Sequence, residues 1–363
     1  MKYFILLLIA AATIAACKTV GQKMDIINED MAVDLMDFSN ALYPVAVKGK
    51  WGYMNNKMEI VIPPQFYKAE DFSEGFAVIT MEIGTSKNEP VKTYQGYIDT
   101  TGNIVIACRY DRALLFSEGL AVVARDGKYG FVDKTGKEII PLIYEDASGF
   151  SEGLAVVKLD GKNGFVDPTG RMVIPPQFER ACWVSDFNEG LSAVYTSENA
   201  GYIDKTGKMV IPAIYSYVSS FSEGMALVQP AGNSKYGYIN MQGEMVIEPQ
   251  YDMSLPFYEG IATVKFTKPD GNSIYRIIDK NGKMVADNLN YAFVGIFREG
   301  LAGVESFNHQ WGFIDKTGKE VVAPTFAGVR LFRNGLSRME SGSLFKGLKV
   351  VYINKAGKIV WQE

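Results

Sequence analysis

Beyond residue 40, apolar residues come in short runs of four to six, each broken by glycine, aspartate or proline. Phe116 to Tyr144, FSEGLAVVARDGKYGFVDKTGKEIIPLIY, shows the pattern at its clearest. Leu120 to Ala124 is Val-rich and predicts a strand. Asp126-Gly127 follows, a dipeptide suited to a tight hairpin with positive φ. Tyr129 to Val132 predicts a second strand. Asp133-Lys134-Thr135-Gly136 predicts a turn in which the Asp side chain bonds backbone N–H groups and Gly takes the left-handed position. Lys137 to Ile140 predicts a third strand, closed by Pro141, which cannot donate to a ladder. The stretch from there to the next Phe reads as a loop or a further extended piece. No segment after residue 40 sustains a helical period with caps.

This unit recurs. Phe-x-x-Gly-apolar begins at Phe72, Phe116, Phe150, Phe187, Phe221, Phe257, Phe297 and Phe332, with a degenerate copy at Phe38. The intervals are 34, 44, 34, 37, 34, 36, 40 and 35 residues. A second marker, aromatic-Gly-aromatic-apolar-Asp, ends at Asn55, Asp99, Asp133, Asp167, Asp204, Asn240, Asp279, Asp315 and Asn354. Two markers in phase give nine copies. The expectation is an all-β tandem repeat of about nine three-stranded units, stacked because a unit this small cannot bury its own apolar face. Nine short copies favour an open, solenoid-like or superhelical array. A closed β-propeller is the alternative, with the Pro-x-x-Tyr tail recruited as a fourth strand. The first copy is atypical, with Met58 at the turn Gly, and so is the last, with Val351 at the motif Gly.

Trp51-Gly52-Tyr53, Tyr129-Gly130-Phe131 and the run Trp311 to Lys319 (WGFIDKTGK) resemble the WG, or KWG, repeat family of bacterial proteins. The resemblance covers residues 38–363 and implies a repeat module without naming a ligand. Gln95, Asn163 and Ala200 replace the naming Trp in other copies.

Residues 1–16 read as a lipoprotein signal peptide. Lys2 supplies the positive charge and Tyr3 to Ala12 the apolar core, too short to span a membrane. Ile14-Ala15-Ala16-Cys17 resembles a lipobox, with Cys17 as the acylated (palmitate-bearing) N-terminus of the mature chain. Lys18 after it resembles the sorting pattern for an outer membrane. Residues 17–37 read as a lipidated tether, with a short helix near Glu29 to Met36, and residues 38–363 as the β domain.

Composition is that of a folded body, 47% hydrophobic and 21% charged, with a net charge of −4 and no basic run. A nucleic-acid partner is not expected. Cys108 and Cys182 fall in different copies, and the expectation is two free buried thiols. Glu74, Glu118, Glu152, Glu189, Glu223, Glu259 and Glu299 precede the marker Gly, and the turn aspartates recur as regularly. An active site is needed once, so residues present in nearly every copy are read as serving the fold: turn geometry for Asp, strand entry for Glu-Gly. Calcium is not expected, because a Lys follows most turn aspartates. No metal, cofactor or catalytic residue is assigned. His309, the single histidine, falls in a hairpin turn. The second aromatic of the motif is expected in the core, as at Phe131, Phe165 and Tyr202. The first, Trp51, Tyr129, Tyr236 and Trp311, is the candidate binding surface. Insertions at Met81 to Thr93 and Thr267 to Ser273 read as loop drift or a binding face. The expected function is an envelope-anchored, non-enzymatic scaffold holding a protein or glycan partner. An enzyme using the non-repeating residues and a structural spacer are the alternatives.

Overall fold

The computed structural model describes residues 41–362 apart from 84–91, 179–183, 197, 269–270 and 344–346. The signal, tether, Cys17, Cys182 and helix expectations lie outside the described residues. All described residues belong to one compact unit, Asn40–Glu363, and they contain strands and no helix.

The copy around Phe116 shows how a unit is built. Its strands are Arg112–Ala113, Leu120–Arg125, Lys128–Asp133 and Glu138–Tyr144, antiparallel and hydrogen-bonded in that order. Asp126 (φ 52°) and Gly127 (φ 71°) make the expected tight hairpin. The Asp133 carboxylate accepts the N–H groups of Thr135 and Lys137 at 2.9 and 3.1 Å, as the turn requires. The expected third strand is longer than read. It runs through Pro141 to Tyr144, so Pro141 sits inside an edge strand rather than ending it.

The strands form eight sheets: six of four strands, one of three (residues 43–66) and one of six. The six-stranded sheet holds two copies, joined by the long strand Met209–Val218, which pairs with Ala200–Asp204 and then with Met225–Pro230. The expectation of an open array of three-stranded units is therefore wrong. The protein is a closed β-propeller whose regular sheets have four strands. The added strand is not the Pro-x-x-Tyr tail but the piece just after it, read from sequence as a loop or a further extended piece.

Closure is visible where the ends meet. The Tyr352 hydroxyl donates to the Pro44 carbonyl at 2.8 Å. The Tyr43 and Tyr352 rings pack edge to face at 5.8 Å. Arg338 lies over the Trp51 ring at 5.5 Å, and Arg333 reaches Asp71 at 2.9 Å. Closure buries the apolar faces that an open array would leave bare at both ends.

The core lies between copies, not within them. The second aromatic of one copy meets the marker Phe of the next: Tyr97–Phe116 at 4.9 Å, Phe131–Phe150 at 5.0 Å, Tyr202–Phe221 at 4.8 Å and Tyr238–Phe257 at 4.8 Å. These rings are buried, as expected. Where the second aromatic is Tyr, its hydroxyl donates to a carbonyl of the next copy, as Tyr97 does to Leu114, Tyr202 to Ser219 and Tyr238 to Leu255.

The motif glycine has its own cause. In copy five, Ala200 and Tyr202 face Tyr215 and Ile211, so a step of two residues opposes a step of four and the outer strand bulges over Gly201. A Cβ on Gly201 would lie 2.5 Å from the Ile211 carbonyl oxygen. Gly130 and Gly164 meet the same obstruction at 2.6 Å. Copy seven carries Arg276 there, and its outer strand is one residue shorter, with Tyr275 and Ile277 facing Leu289 and Ala286. The smaller bulge leaves room, and Arg276 pairs with Asp287 at 2.6 Å. In the last copy Val351 faces Gln362 in regular register.

Candidate functional site

The Phe-x-x-Gly segments are the tight turns between the first and second strands. Ser117 and Leu120 exchange both backbone hydrogen bonds across Glu118-Gly119. Glu118 has φ 53° and Gly119 φ 84°, a two-residue hairpin with both residues left-handed. All seven marker glutamates share this conformation, with φ between 51° and 55°. A non-glycine residue there is strained by ~1–2 kcal/mol. The sequence reading, which gave Glu-Gly only a role in strand entry, missed the reason for the strain.

The reason is the next copy. The Glu74 carboxylate accepts the Gly119 N–H at 3.0 Å, Glu118 that of Gly153 at 2.8 Å, and Glu152 that of Gly190 at 2.9 Å. Glu189, Glu223, Glu259 and Glu299 continue the series to Gly224, Gly260, Gly300 and Gly335. The preceding serines add a parallel set. Ser73, Ser117, Ser151 and Ser222 donate to the marker-Phe carbonyl of the following copy at 2.6 to 2.7 Å. Equivalent turns of neighbouring copies touch only near the axis of a ring, so these turns form a rosette around it.

Lysines of the second turn close the network. Lys134 reaches Glu74 at 3.1 Å, Lys205 reaches Glu152 at 3.1 Å, Lys280 reaches Glu223 at 3.2 Å and Lys316 reaches Glu259 at 3.0 Å. Lys280 also donates to the Glu223 carbonyl at 2.8 Å. The turn aspartates are equally committed. The Thr135 hydroxyl, first, and the turn N–H groups hold the Asp133 carboxyl below its ordinary range, and the Thr169 hydroxyl and then Arg171 bring Asp167 down to about 2. The repeated carboxylates thus serve turns and inter-copy bonds.

The glutamate's two roles can be separated. Glu223→Ala is expected to lower stability by roughly 1–2 kcal/mol through the lost hydrogen bonds. Glu223→Gly loses the same bonds but relieves the left-handed strain, so it should be the more stable variant in urea unfolding. The reverse order would mean that the strain is absent.

Strand direction places the hairpins between second and third strands on the opposite face, together with His309 and the strand ends that lead into both insertions. Hairpin strands lengthen toward the insertions, to Phe76–Ile83 with Lys92–Asp99, and to Ile261–Thr267 with Ser273–Asp279. His309 is exposed at a turn with φ 58°, its Nδ1 3.0 Å from Glu305. Among the described residues no cluster of three or more His, Cys, Asp or Glu is placed to hold a metal ion. Cys108 is a free, half-buried thiol that burial pushes up to about 11.

The four candidate binding aromatics are not brought together. They lie in copies one, three, six and eight, each half-buried. Trp51 lies beneath Arg338, Tyr236 is edge-on to Tyr217 at 5.6 Å, and Trp311 is edge-on to Phe293 at 6.1 Å. Tyr129 packs against the core shared by copies three and four. No row of bare rings results.

Comparison with solved structures finds distant similarities. One described as a eukaryotic initiation factor has a TM-score of 0.63 at 13% identity, covering 90% of this chain and 96% of that one. A computationally designed protein, Ika8, has a TM-score of 0.46 at 14% identity over 68% and 85% of the two chains. Hsv2 from Kluyveromyces lactis has 0.41 at 10% identity over 65% and 90%. A comparison with curated proteins returned no match. The model of the WG containing repeat matches at residues 51–82, 96–129, 129–162, 164–197, 201–230, 236–267, 275–306 and 311–344. With its motif glycines beneath the outer-strand bulges and its aromatics between copies, this chain belongs to the WG containing repeat family.

Proposed function

We propose that the protein is a non-catalytic binding scaffold of the cell envelope, anchored through lipid on Cys17 and holding a protein or glycan partner. One observation carries this reading: the two faces are built differently. The rosette face repeats itself and uses its carboxylates, serines and lysines for bonds between copies. The hairpin face varies in length and composition from copy to copy, from Asp126-Gly127 and Asp160-Gly161 to the longer connections after Ile83 and Thr267. A rigid frame presenting variable loops is how repeat proteins place recognition residues.

A rigid spacer is the second reading. It is favoured by the half-buried setting of Trp51, Tyr129, Tyr236 and Trp311, which contribute to packing whether or not a ligand is present.

The test uses immobilised protein and solubilised envelope extract, with Lys128→Glu/Lys162→Glu as a hairpin-face variant. A saturable partner retained by the wild type and lost by the variant supports the scaffold. Equal retention by both, or none by either, favours the spacer. Anchoring is tested separately by incorporation of labelled palmitate in cells. It should disappear in Cys17→Ser, and label persisting in that variant would overturn the anchor.

A further inference from the structure

The hairpin of copy eight, Ser306 to Gln310, differs from the others in what it shows to solvent. Phe307, Asn308, His309 and Gln310 are four exposed residues in a row. Phe307 is 61% exposed, more than any other large apolar residue among those described.

The turn itself is an ordinary one. The Ser306 N–H donates to the Gln310 carbonyl at 2.7 Å, and the His309 N–H to the Ser306 carbonyl at 3.0 Å. Asp133 to Lys137 makes the same two bonds at 3.0 and 2.9 Å, and the copy-seven hairpin from Lys268 to Asn272 makes them at 2.7 and 2.9 Å. In both, the fourth residue is glycine: Gly136 with φ 83° and Gly271 with φ 82°. His309 takes that place with φ 58°. Left-handed backbone favours glycine. Burial does not compensate, because the His309 side chain is 85% exposed. The fold alone therefore gives no reason for a side chain here.

What the turn does is orient that side chain. Nδ1 of His309 stands 3.0 Å from Oε1 of Glu305, a side chain only 12% exposed. A carboxylate only accepts, so in the neutral ring Nδ1 carries the proton and Nε2 is left as an acceptor. The side chains of Asn308 and Gln310 engage no partner among the described residues. Each carboxamide both donates and accepts. One pinned turn thus presents a bare aromatic ring, an acceptor nitrogen and two open carboxamides.

We propose that this turn binds a neutral glycan, with one sugar ring stacked on Phe307 and its hydroxyls bonded to His309 Nε2, Asn308 and Gln310. The proposal rests on the scaffold reading above and names the glycan as the partner. Size decides between the two partner classes. A stable protein interface covers about 800 Å² on each side. Trp311, next along the chain, packs edge-on to Phe293 at 6.1 Å and does not extend the bare apolar surface. One sugar ring, in contrast, matches one aromatic ring. A pyranose with all its hydroxyls equatorial offers an apolar C–H face to Phe307 and hydroxyls at its edge. Those hydroxyls need neighbours that both donate and accept, which the carboxamides supply.

The experiment titrates the full chain, labelled with ¹⁵N-histidine, with the β-linked tetramers of N-acetylglucosamine and of glucose. His309 is the single histidine, so its ring signals need no assignment. At least one tetramer should shift them saturably. Phe307→Ala should weaken the Kd about tenfold or more, the loss of one aromatic contact. Saturation transfer to the sugar should fall in His309→Gly too, although relief of the left-handed strain should make that variant melt higher. No saturable shift with either tetramer, or equal binding by Phe307→Ala, would overturn the proposal. Loss of a protein from envelope extract in Phe307→Ala, with neither tetramer bound, would overturn it by assigning the turn to a protein. If no tetramer binds but the wild type still retains a partner that Lys128→Glu/Lys162→Glu loses, this proposal fails and the scaffold reading stands.

Discussion

Gly201→Ala is expected to destabilise the protein by about 3 kcal/mol or more, because overpacking against backbone has no cheap relaxation. The new Cβ would sit 2.5 Å from the Ile211 oxygen and 2.8 Å from the Pro212 carbon and the Ala213 nitrogen. These are main-chain atoms of a bulged strand, and moving them breaks its pairing with Ala200–Asp204. Gly224→Ala is the matched control. Gly224 has φ 79° and no atom within 4 Å of a built Cβ, so strain of ~1 kcal/mol is the only cost. Urea unfolding followed by tryptophan fluorescence gives both values. Gly201 itself is not left-handed, so equal losses would show that crowding under the bulge does not select the motif glycine.

Phe257→Ala should cost about 3–5 kcal/mol, the range for emptying a fully buried aromatic site. Phe257 is 0% exposed and packs on Tyr238 at 4.8 Å. It joins Leu227, Ile247 and Tyr251 of copy six to Ala262 and Val264 of copy seven. Phe307→Ala, at a site 61% exposed, should stay within about 0.5 kcal/mol. Ring closure sharpens the expectation. Every copy has two neighbours, so the defect should lower one cooperative transition of the whole domain. A separate early transition, with the remainder unchanged, would mean that the boundaries unfold independently.

Much of this design is legible in the chain. Asp133 to Gly136 announces its turn because the Asp side chain and the left-handed Gly act within five residues. Asp126-Gly127 does the same for its hairpin. Phe131, Phe165 and Tyr202 are readable as core because they recur in phase with Val and Ile. Other features are not local. Nothing within Phe-Ser-Glu-Gly reveals that Glu118 is left-handed, because its partner is Gly153, thirty-five residues on. The crowding over Gly130 comes from Ile140 and Pro141, across a bulge that periodicity does not mark. Asp186 reads as one more polar residue until Ser148, thirty-eight residues earlier, lies beside it.

The sequence by itself determined the all-β class, the turns and the repeat, since each depends on contacts inside one unit. It also settled which aromatic enters the core. Tertiary structure alone decided the fourth strand, the carboxylate rosette and closure. Closure depends on the angle between successive units and on whether the last meets the first. That angle is set by packing such as Phe131 on Phe150, and the meeting by Tyr352 on Pro44 and Arg333 on Asp71. Neither quantity exists within one repeat, so no single copy could specify it.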